Sequence, residues 1–416
     1  MIQICKWHDY NHKQKEQLKL ISFDKVILSD NAIKVLKSRY LLRDSEGKII
    51  ETPEQLFKRV ASYVAKAELK YSNENAGKIE KEFFELMTEL KFLPNSPTLM
   101  NAGTELNQLS ACFVLPVEDS MEGIFTTLKN TALIQQSGGG TGFNFSKLRS
   151  KEDAVSSYSG NASGPVEFMK VYNAATQNIK QGGKRRGANM GILNINHPDI
   201  EDFINSKKTE GALNNFNISV AITDDFMRAV NENRDWNLKK PGSETVTKTV
   251  SAKKLWNNLI SSAWQSGDPG LIFTDTINSQ NPTPELGLID CTNPCGEVPL
   301  LPYEACNLGS INISKFCNEG SINWSELEQA IITAIRFLDN VIEMNSFVIP
   351  EIENLVVGNR KIGLGVMGWA ELLIMLNIPY QSQQAIHLGG ELMKFISDKS
   401  QEASVKLAGD RGVFKN

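Results

Sequence analysis

ACFVLPV (111–117), GFNFSKL (142–148), FNISVAI (216–222), GLIFTDTI (270–277) and SINIS (310–314) are short apolar runs, and between and after them lie stretches of helical period, clearest in ELEQAIITAIRFLDNVIEM (326–344). Runs of strand length, rich in β-branched and aromatic residues and alternating with amphipathic helices, are the pattern of an α/β fold. This alternation starts at about residue 86, and no repeat of 20–50 residues or low-complexity tract interrupts it.

Upstream, residues 1–85 read as a helical N-terminal domain. SDNAIKVLKSRYLL (29–42) offers Ser29 as a cap ahead of apolar positions spaced by three and four. Thr52-Pro53-Glu54-Gln55 combines a capping box with proline at the first helical position, and FKRVASYVAKAEL (57–69) continues the apolar stripe. Residues 86–416 read as the α/β body. Within it NENRDWNLKKPGSETVTKTV (231–250), polar and holding a Pro-Gly pair, is expected as a surface excursion. KLAGDRGVFKN (406–416) ends a helix and starts a new apolar run, so the sheet is expected to be unfinished there, leaving an edge for another chain to cover.

With 22% charged and 41% apolar residues over 416 positions, the chain has the balance of a soluble globular protein with a sizeable core. The net charge of −4 gives no global reason for nucleic-acid or acidic-membrane binding, so phosphate affinity must come from local basic clusters. MIQICKWHDYNHKQK (1–15) turns polar too soon for a secretory leader, and no run of about eighteen apolar residues could span a bilayer. The cytoplasm is the default compartment. Six cysteines are too sparse for a secreted disulfide framework, and none of the four histidines stands at zinc-ligand spacing, so no structural metal is expected.

Asn293-Pro294-Cys295-Gly296-Glu297 sets an amide, a thiol and a carboxylate at alternate positions, which share one side of an extended segment. A carboxylate beside a substrate hydroxyl can act as general base, an amide can hold a second hydroxyl, and a thiol between them can serve as nucleophile or hydrogen-atom donor. The competing reading is a Pro-Gly turn with a buried, inert cysteine. Cys112 and Cys306 each adjoin an apolar run; alone each reads as a small core residue, and together they could form a reversible disulfide if their Cα atoms come within about 7 Å. CxxxC with no further ligands leaves Cys291 structural, and Cys5 and Cys317 have no assigned role. Lys180 to Asn189 gathers four cations and three glycines, a composition suited to nucleotide phosphates and equally to a solvated loop. Ser137 to Gly142, SGGGTG, lacks the lysine of a Walker loop and more often marks a tight backbone approach than a phosphate cradle.

FLPNSPTLMNAG (92–103), SACFVLPVEDS (110–120), SGGGTGFNFSKLR (137–149), KQGGKRRGANMG (180–191), NPCGE (293–297), EACNLGSINIS (304–314) and NRKIGLGVMGWAELL (359–373) together, in this order, resemble the catalytic chain of ribonucleotide reductases, from about residue 25 to the end. The wording around each motif, with LSDNAIKVLKSRYLLRDSEGKIIETPEQLFKRVA (28–61), resembles the adenosylcobalamin-dependent class in particular. The resemblance implies a ten-stranded α/β barrel of two five-stranded halves, incomplete at the C-terminus of this chain, behind the helical domain. It implies reduction of ribonucleotides, expected as ribonucleoside diphosphates, to 2′-deoxyribonucleotides by a thiyl radical.

In that scheme Cys295 matches the radical cysteine that takes the 3′-hydrogen of the ribose, Glu297 the base at the 3′-hydroxyl, and Asn293 the residue holding the sugar hydroxyls. Cys112 and Cys306 match the pair that becomes a disulfide as the 2′-hydroxyl leaves as water. Ser96 resembles a substrate-touching position; Gln181, Lys184 and Arg186 are the candidates in the basic loop for reading the substrate base. Asp119 and Arg149 match positions that bind a dNTP effector. The implied partners are a ribonucleotide, a dNTP, a thioredoxin- or glutaredoxin-like reductant, a second copy in a homodimer and a complementing C-terminal chain, with no membrane and no nucleic acid. The family's C-terminal phosphate loop, cobalamin-contacting segments and cysteine pair have no counterpart up to residue 416. Two other readings stand beside this one: a catalytic fragment of the iron- or manganese-dependent class, and a non-catalytic nucleotide-binding fragment. A thiol-disulfide protein is disfavoured because no CxxC is present.

Overall fold

In a computed structural model the chain is described over residues 21–23, 26–71, 76–151, 153, 161–181 and 185–416. Its contacts divide it into two compact units. One gathers Met1–Leu109, Leu308–Ser346 and Ile362–Val413; the other gathers Ser110–Asn307, Phe347–Lys361 and Phe414–Asn416. The strands that matter are β1 (Phe92–Pro94), β2 (Cys112–Val114), β3 (Gly140–Asn144), β4 (Asn189–Asn194), β5 (Phe216–Ile222), β6 (Gly270–Phe273), β7 (Ala305–Asn312) and β8 (Ile362–Met367). The helices are α1 (Asp30–Arg39), α2 (Pro53–Ala65), α3 (Ala76–Thr88), α4 (Met121–Gln136), α5 (Pro165–Asn178), α6 (Trp324–Met344) and α7 (Gln383–Arg411).

The first unit is mainly helical, and its helix starts follow their sequence signals. Ser29 Oγ accepts from the Ala32 amide at 3.2 Å to begin α1. At α2 the Thr52 hydroxyl takes the Gln55 amide while the Gln55 side chain returns to the Thr52 amide at 2.8 Å, a closed capping box ahead of Pro53. The helical reading of this region omitted a short antiparallel ladder, Ile21–Phe23 with Val26–Leu28, whose few residues are too brief for a period to show. Phe83, Phe92 and Phe337 meet edge to face at 5.0 and 5.3 Å, joining α3, β1 and α6 in one core. The last residues of β7 pair with β1 (Gly309 opposite Pro94) and lie beside β8.

A buried charge cluster fastens this unit. Glu68, 2% exposed, receives Arg336 at 2.6 and 2.9 Å, Arg411 at 2.7 Å and the Asn340 amide at 2.8 Å. Burial pushes the Glu68 carboxyl up, and the donors and charges of Arg336, Asn340 and Arg411 more than offset it, leaving the carboxyl below its ordinary value.

The second unit is built on five parallel strands in the order β6-β5-β4-β3-β2, the number in one half of the expected barrel. β7 closes against β2 in the opposite direction, with Ala305 facing Phe113 and Cys306 facing Cys112. Parallel strands covered on both faces are apolar nearly throughout, which is why FNISVAI and NMGILN are buried at almost every position. GLIFTDTI departs from its reading as one run: the strand stops at Phe273 and Thr274–Ser279 is helical. The surface excursion 231–250 contains an exposed β-hairpin, Asp235–Lys239 with Val246–Ser251, turning at its Pro-Gly pair. Among the described residues no helix is long and apolar enough to cross a membrane.

Replacing Glu68 by Ala leaves Arg336 and Arg411 without their shared anion and should destabilise the protein by about 3–5 kcal/mol in urea unfolding. Because the folded carboxyl is lowered, its contribution is complete above the unfolded value of about 4.3 and is lost as pH falls through the folded value. The stability gap between wild type and Glu68→Gln should therefore be full at neutral pH and narrow below about pH 4.

Candidate thiol site

The segment around Cys295 is a tight reversal. Cys291–Thr292 pairs with Pro299–Leu300, Cys291 facing Leu300, and the chain between them folds back on Asn293. The Asn293 amide donates to the Val298 carbonyl at 3.3 Å, its Oδ1 accepts from the Val298 amide at 3.1 Å, and the Gly296 amide reaches the Asn293 carbonyl at 3.1 Å. Gly296 sits at φ +84°, a conformation that costs glycine nothing. Of the two readings the sequence left open, the extended segment and the Pro-Gly turn, the structure has the turn: it buries Asn293, 2% exposed, and leaves Cys295 and Glu297 exposed. A turn was the competing reading, but that reading buried the cysteine and this turn displays it.

Missing side chains seat this loop. A Cβ on Gly140 would stand 2.9 Å from Pro294 Cγ, and one on Gly142 would occupy the position of the Thr292 carbonyl. The SGGGTG stretch therefore serves a close backbone approach between β3 and the thiol loop. Asn217, at the second position of β5, donates from Nδ2 to the Pro294 carbonyl at 2.7 Å, and Asn144 at the far end of β3 donates to the Asp290 carbonyl at 2.9 Å. Neither asparagine was singled out in the sequence; the only signal was a polar residue inside an apolar strand.

Cys112 opens β2 and Cys306 is the second residue of β7, buried at 4% and 1% exposure. Their antiparallel register makes them direct partners, and directly opposed residues have Cα atoms about 4.5–5.5 Å apart, inside the reach of a disulfide. Both are thiols here, and Asn293 Nδ2 points at the Cys112 sulfur at 3.2 Å. The hydrogen bond to the Cys306 sulfur, then burial, then charge on Cys306, Glu297 and Cys295 hold the Cys112 thiol well above its ordinary range. Those last two influences bring the thiol loop and the dithiol into one electrostatic neighbourhood. Upstream of Cys306, the fully buried Glu304 accepts from the Leu301 amide, Asn359 Nδ2 and Lys361 Nζ at 2.7–2.8 Å, fixing the entry to β7.

The other expected residues fall into separate settings. Asp119 and Arg149 pair with each other, Nε to Oδ2 at 2.8 Å and the Arg149 amide to Oδ1 at 3.2 Å, on a half-exposed surface. Gln181 and Arg186 lie in a two-stranded ladder, Lys180–Gln181 with Arg185–Arg186, while Lys184 is outside the described residues, as is Cys5. Ser96, in the first unit, begins a short helix with its hydroxyl 2.8 Å from that of Tyr40. Cys291 is fully buried, with its sulfur on the Thr292 carbonyl, and Cys317 is buried in a short strand; neither joins the thiol site. Among the described residues no three His, Cys, Asp or Glu side chains gather as a metal-ligand group.

A dithiol buried where two strands oppose, beside an exposed thiol on a turn braced by parallel strands, forms the candidate site of an α/β barrel scaffold. Residues 110–416 match the barrel domain of ribonucleotide reductase and residues 27–107 its all-alpha domain. The chain is 50% identical to the vitamin B12-dependent ribonucleoside-diphosphate reductase of Thermoplasma acidophilum and 47% identical to that of Mycobacterium tuberculosis, each match covering 94% of this chain. It is 30% identical to the ribonucleoside-diphosphate reductase large subunit of Vaccinia virus, over 98% of its length. The chain belongs to the ribonucleotide reductase family. It spans 58%, 57% and 56% of the length of these three relatives.

Mild oxidation should join Cys112 to Cys306, detected as a cross-linked peptide pair by mass spectrometry and absent in Cys306→Ser. Since the thiolate is the reacting form and the Cys112 thiol is raised, the rate should climb about tenfold per pH unit across the neutral range. A major cross-link from Cys295 to Cys291 instead would contradict the register.

Proposed function

We propose that this chain is the thiol-bearing part of a ribonucleotide reductase that converts ribonucleoside diphosphates to 2′-deoxyribonucleotides with adenosylcobalamin as radical source. The observation that carries the reading is the register pairing of Cys112 with Cys306 beside the Asn293–Glu297 turn. Relatives named as vitamin B12-dependent, at 47–50% identity against 30% for the viral large subunit, favour the cobalamin class. The division into a helical domain over 1–85 and a catalytic barrel over 86–416 belongs to the same reading.

Bound adenosylcobalamin supplies a carbon radical able to take a thiol hydrogen atom. Cys295, whose thiol is exposed, is assigned that role by its place in the NPCGE motif. A Cys295 thiyl takes the 3′-hydrogen of the ribose while Glu297 accepts the 3′-hydroxyl proton. The 2′-hydroxyl leaves as water, protonated from the Cys112–Cys306 dithiol, which gives two electrons and becomes a disulfide. Cys295 then returns the hydrogen atom to C3′, so each turnover consumes one dithiol and releases one water. Keeping Cys112 protonated suits a donor of protons to a leaving hydroxyl, and burial keeps the pair dry until reduction. Asn293, holding Cys112 through Nδ2, turns that amide to a sugar hydroxyl when substrate enters.

Ser96, Gln181, Lys184 and Arg186 are assigned to the substrate. Asp119 and Arg149 are assigned to a dNTP effector, whose phosphates would compete with Asp119 for the guanidinium. A thioredoxin- or glutaredoxin-like protein reopens the disulfide, and a homodimer and a complementing C-terminal segment complete the assembly.

The complete gene product, given adenosylcobalamin, a dithiol and the four ribonucleoside diphosphates, should form deoxynucleotides. Cys295→Ser should abolish product, and Cys112→Ser or Cys306→Ser should stop sustained turnover. Glu297→Gln should lower kcat about 10²- to 10⁴-fold, the usual weight of a general base. Binding of dNTPs by a protein that reduces no ribonucleotide under these conditions would sink the catalytic reading in favour of a nucleotide-binding role.

A further inference from the structure

Four polar side chains meet inside the second unit with no solvent contact. Gln135 at the end of α4, Thr141 in β3, Thr176 near the end of α5 and Asn189 at the start of β4 are each 0% exposed. Gln135 Nε2 donates to Asn189 Oδ1 at 2.7 Å and to Thr141 Oγ1 at 3.2 Å. Thr141 donates to the same Asn189 oxygen at 2.8 Å, and Asn189 Nδ2 donates to Thr176 Oγ1 at 2.9 Å. Gln135 Oε1 is buried without a hydrogen-bond partner, and a Cβ on Gly187 would lie 2.8 Å from it and 2.6 Å from Thr176 Cγ2.

An apolar quartet of the same volume would avoid the desolvation cost of these groups, and a polar network one bond short is a poor stabiliser. Its position explains it better than stability does. Thr176 and Asn189 stand on the two stems of the basic hairpin, four residues before Lys180 and three after Arg186, and their mutual hydrogen bond clamps those stems together. Thr141 is next to Gly140, the seat of Pro294 in the thiol loop. Gln135 is the penultimate residue of the helix that begins two residues after Asp119.

We propose that Gln135, Thr141, Thr176 and Asn189 are a positioning clamp that ties the setting of the basic hairpin stems to the strand bracing the thiol loop, and so governs which nucleobase is reduced. This rests on the proposed reductase function and deepens it. The four residues touch no substrate in this scheme. They act through the hairpin on one side and Gly140 on the other, and the unmet acceptor of Gln135, facing Gly187, gives the hairpin root a second hydrogen-bonding arrangement to move into.

The test measures kcat/KM of the complete gene product on the four ribonucleotides under one fixed deoxynucleotide. Thr176→Val removes the stem hydrogen bond at constant volume, and Gly187→Ala forces a methyl into the clamp without removing any polar group. Each should shift the ratios between bases about tenfold, within the usual range of coupling between sites. The rate on the best base should fall far less, and Cys112–Cys306 oxidation should be unchanged. Thr176→Ser should return the ratios to those of wild type. Unmoved ratios in both variants, whatever the loss in Tm, would overturn the clamp and leave it a structural network. Should Thr176→Val not accumulate as folded protein, Thr141→Val carries the same prediction with Thr141→Ser as its rescue. Should wild type reduce no nucleotide, the proposed function fails on its own. The clamp is then read from relative affinities of wild type and Gly187→Ala for the four deoxynucleotides, and equal profiles sink it.

Discussion

The antiparallel contact between β2 and β7 sets Cys112 opposite Cys306. Two sulfurs nearly two hundred positions apart can exchange electrons as a dithiol only if their backbones are locked in register, and a slip by one residue would turn one of them to the other face of the sheet. β2 is held from both sides, by parallel β3 and antiparallel β7, and Glu304 with Lys361 and Asn359 fixes where β7 begins. The buried charge there sets where a strand starts, which in turn sets which sulfur faces which.

The thiol loop depends on the same sheet by subtraction. β3 presents hydrogen atoms where side chains would stand, so Pro294 and the Thr292 carbonyl can lie against it, and Asn217 supplies a directed bond to the tip. Buried Asn293 links tip to dithiol through the Cys112 sulfur, whereas Cys295 and Glu297 stay open. The dithiol and the Cys295 thiol therefore stand in opposite solvent settings, one buried and the other exposed. Here one turn of six residues separates them.

Much of the fold was legible in order of residues. The caps at Ser29 and Thr52 act through neighbours three residues away, and the apolar run of β5 records burial on both faces, so both kinds of signal survive without tertiary information. The seven ordered motifs were enough for the family. Local geometry was left open: NPCGE allowed an extended segment or a turn, and proline with a positive-φ glycine reverses the chain there. GLIFTDTI likewise changes from strand to helix at Thr274, where propensity alone does not choose.

The sequence by itself determined the alternation of strands and helices, the three cysteines worth watching, and the meaning of a glycine run without a phosphate-binding lysine. Only tertiary structure decided that Cys112 and Cys306 share a register, that Asn293 faces inward while Cys295 faces out, that Asp119 and Arg149 hold each other, and that Gln135, Thr141, Thr176 and Asn189 meet at all. The physical reason is range. Caps, periods and turn chemistry act over a few residues and leave their mark in order along the chain, whereas a strand partner or a buried polar contact depends on packing between segments that sequence spacing does not encode.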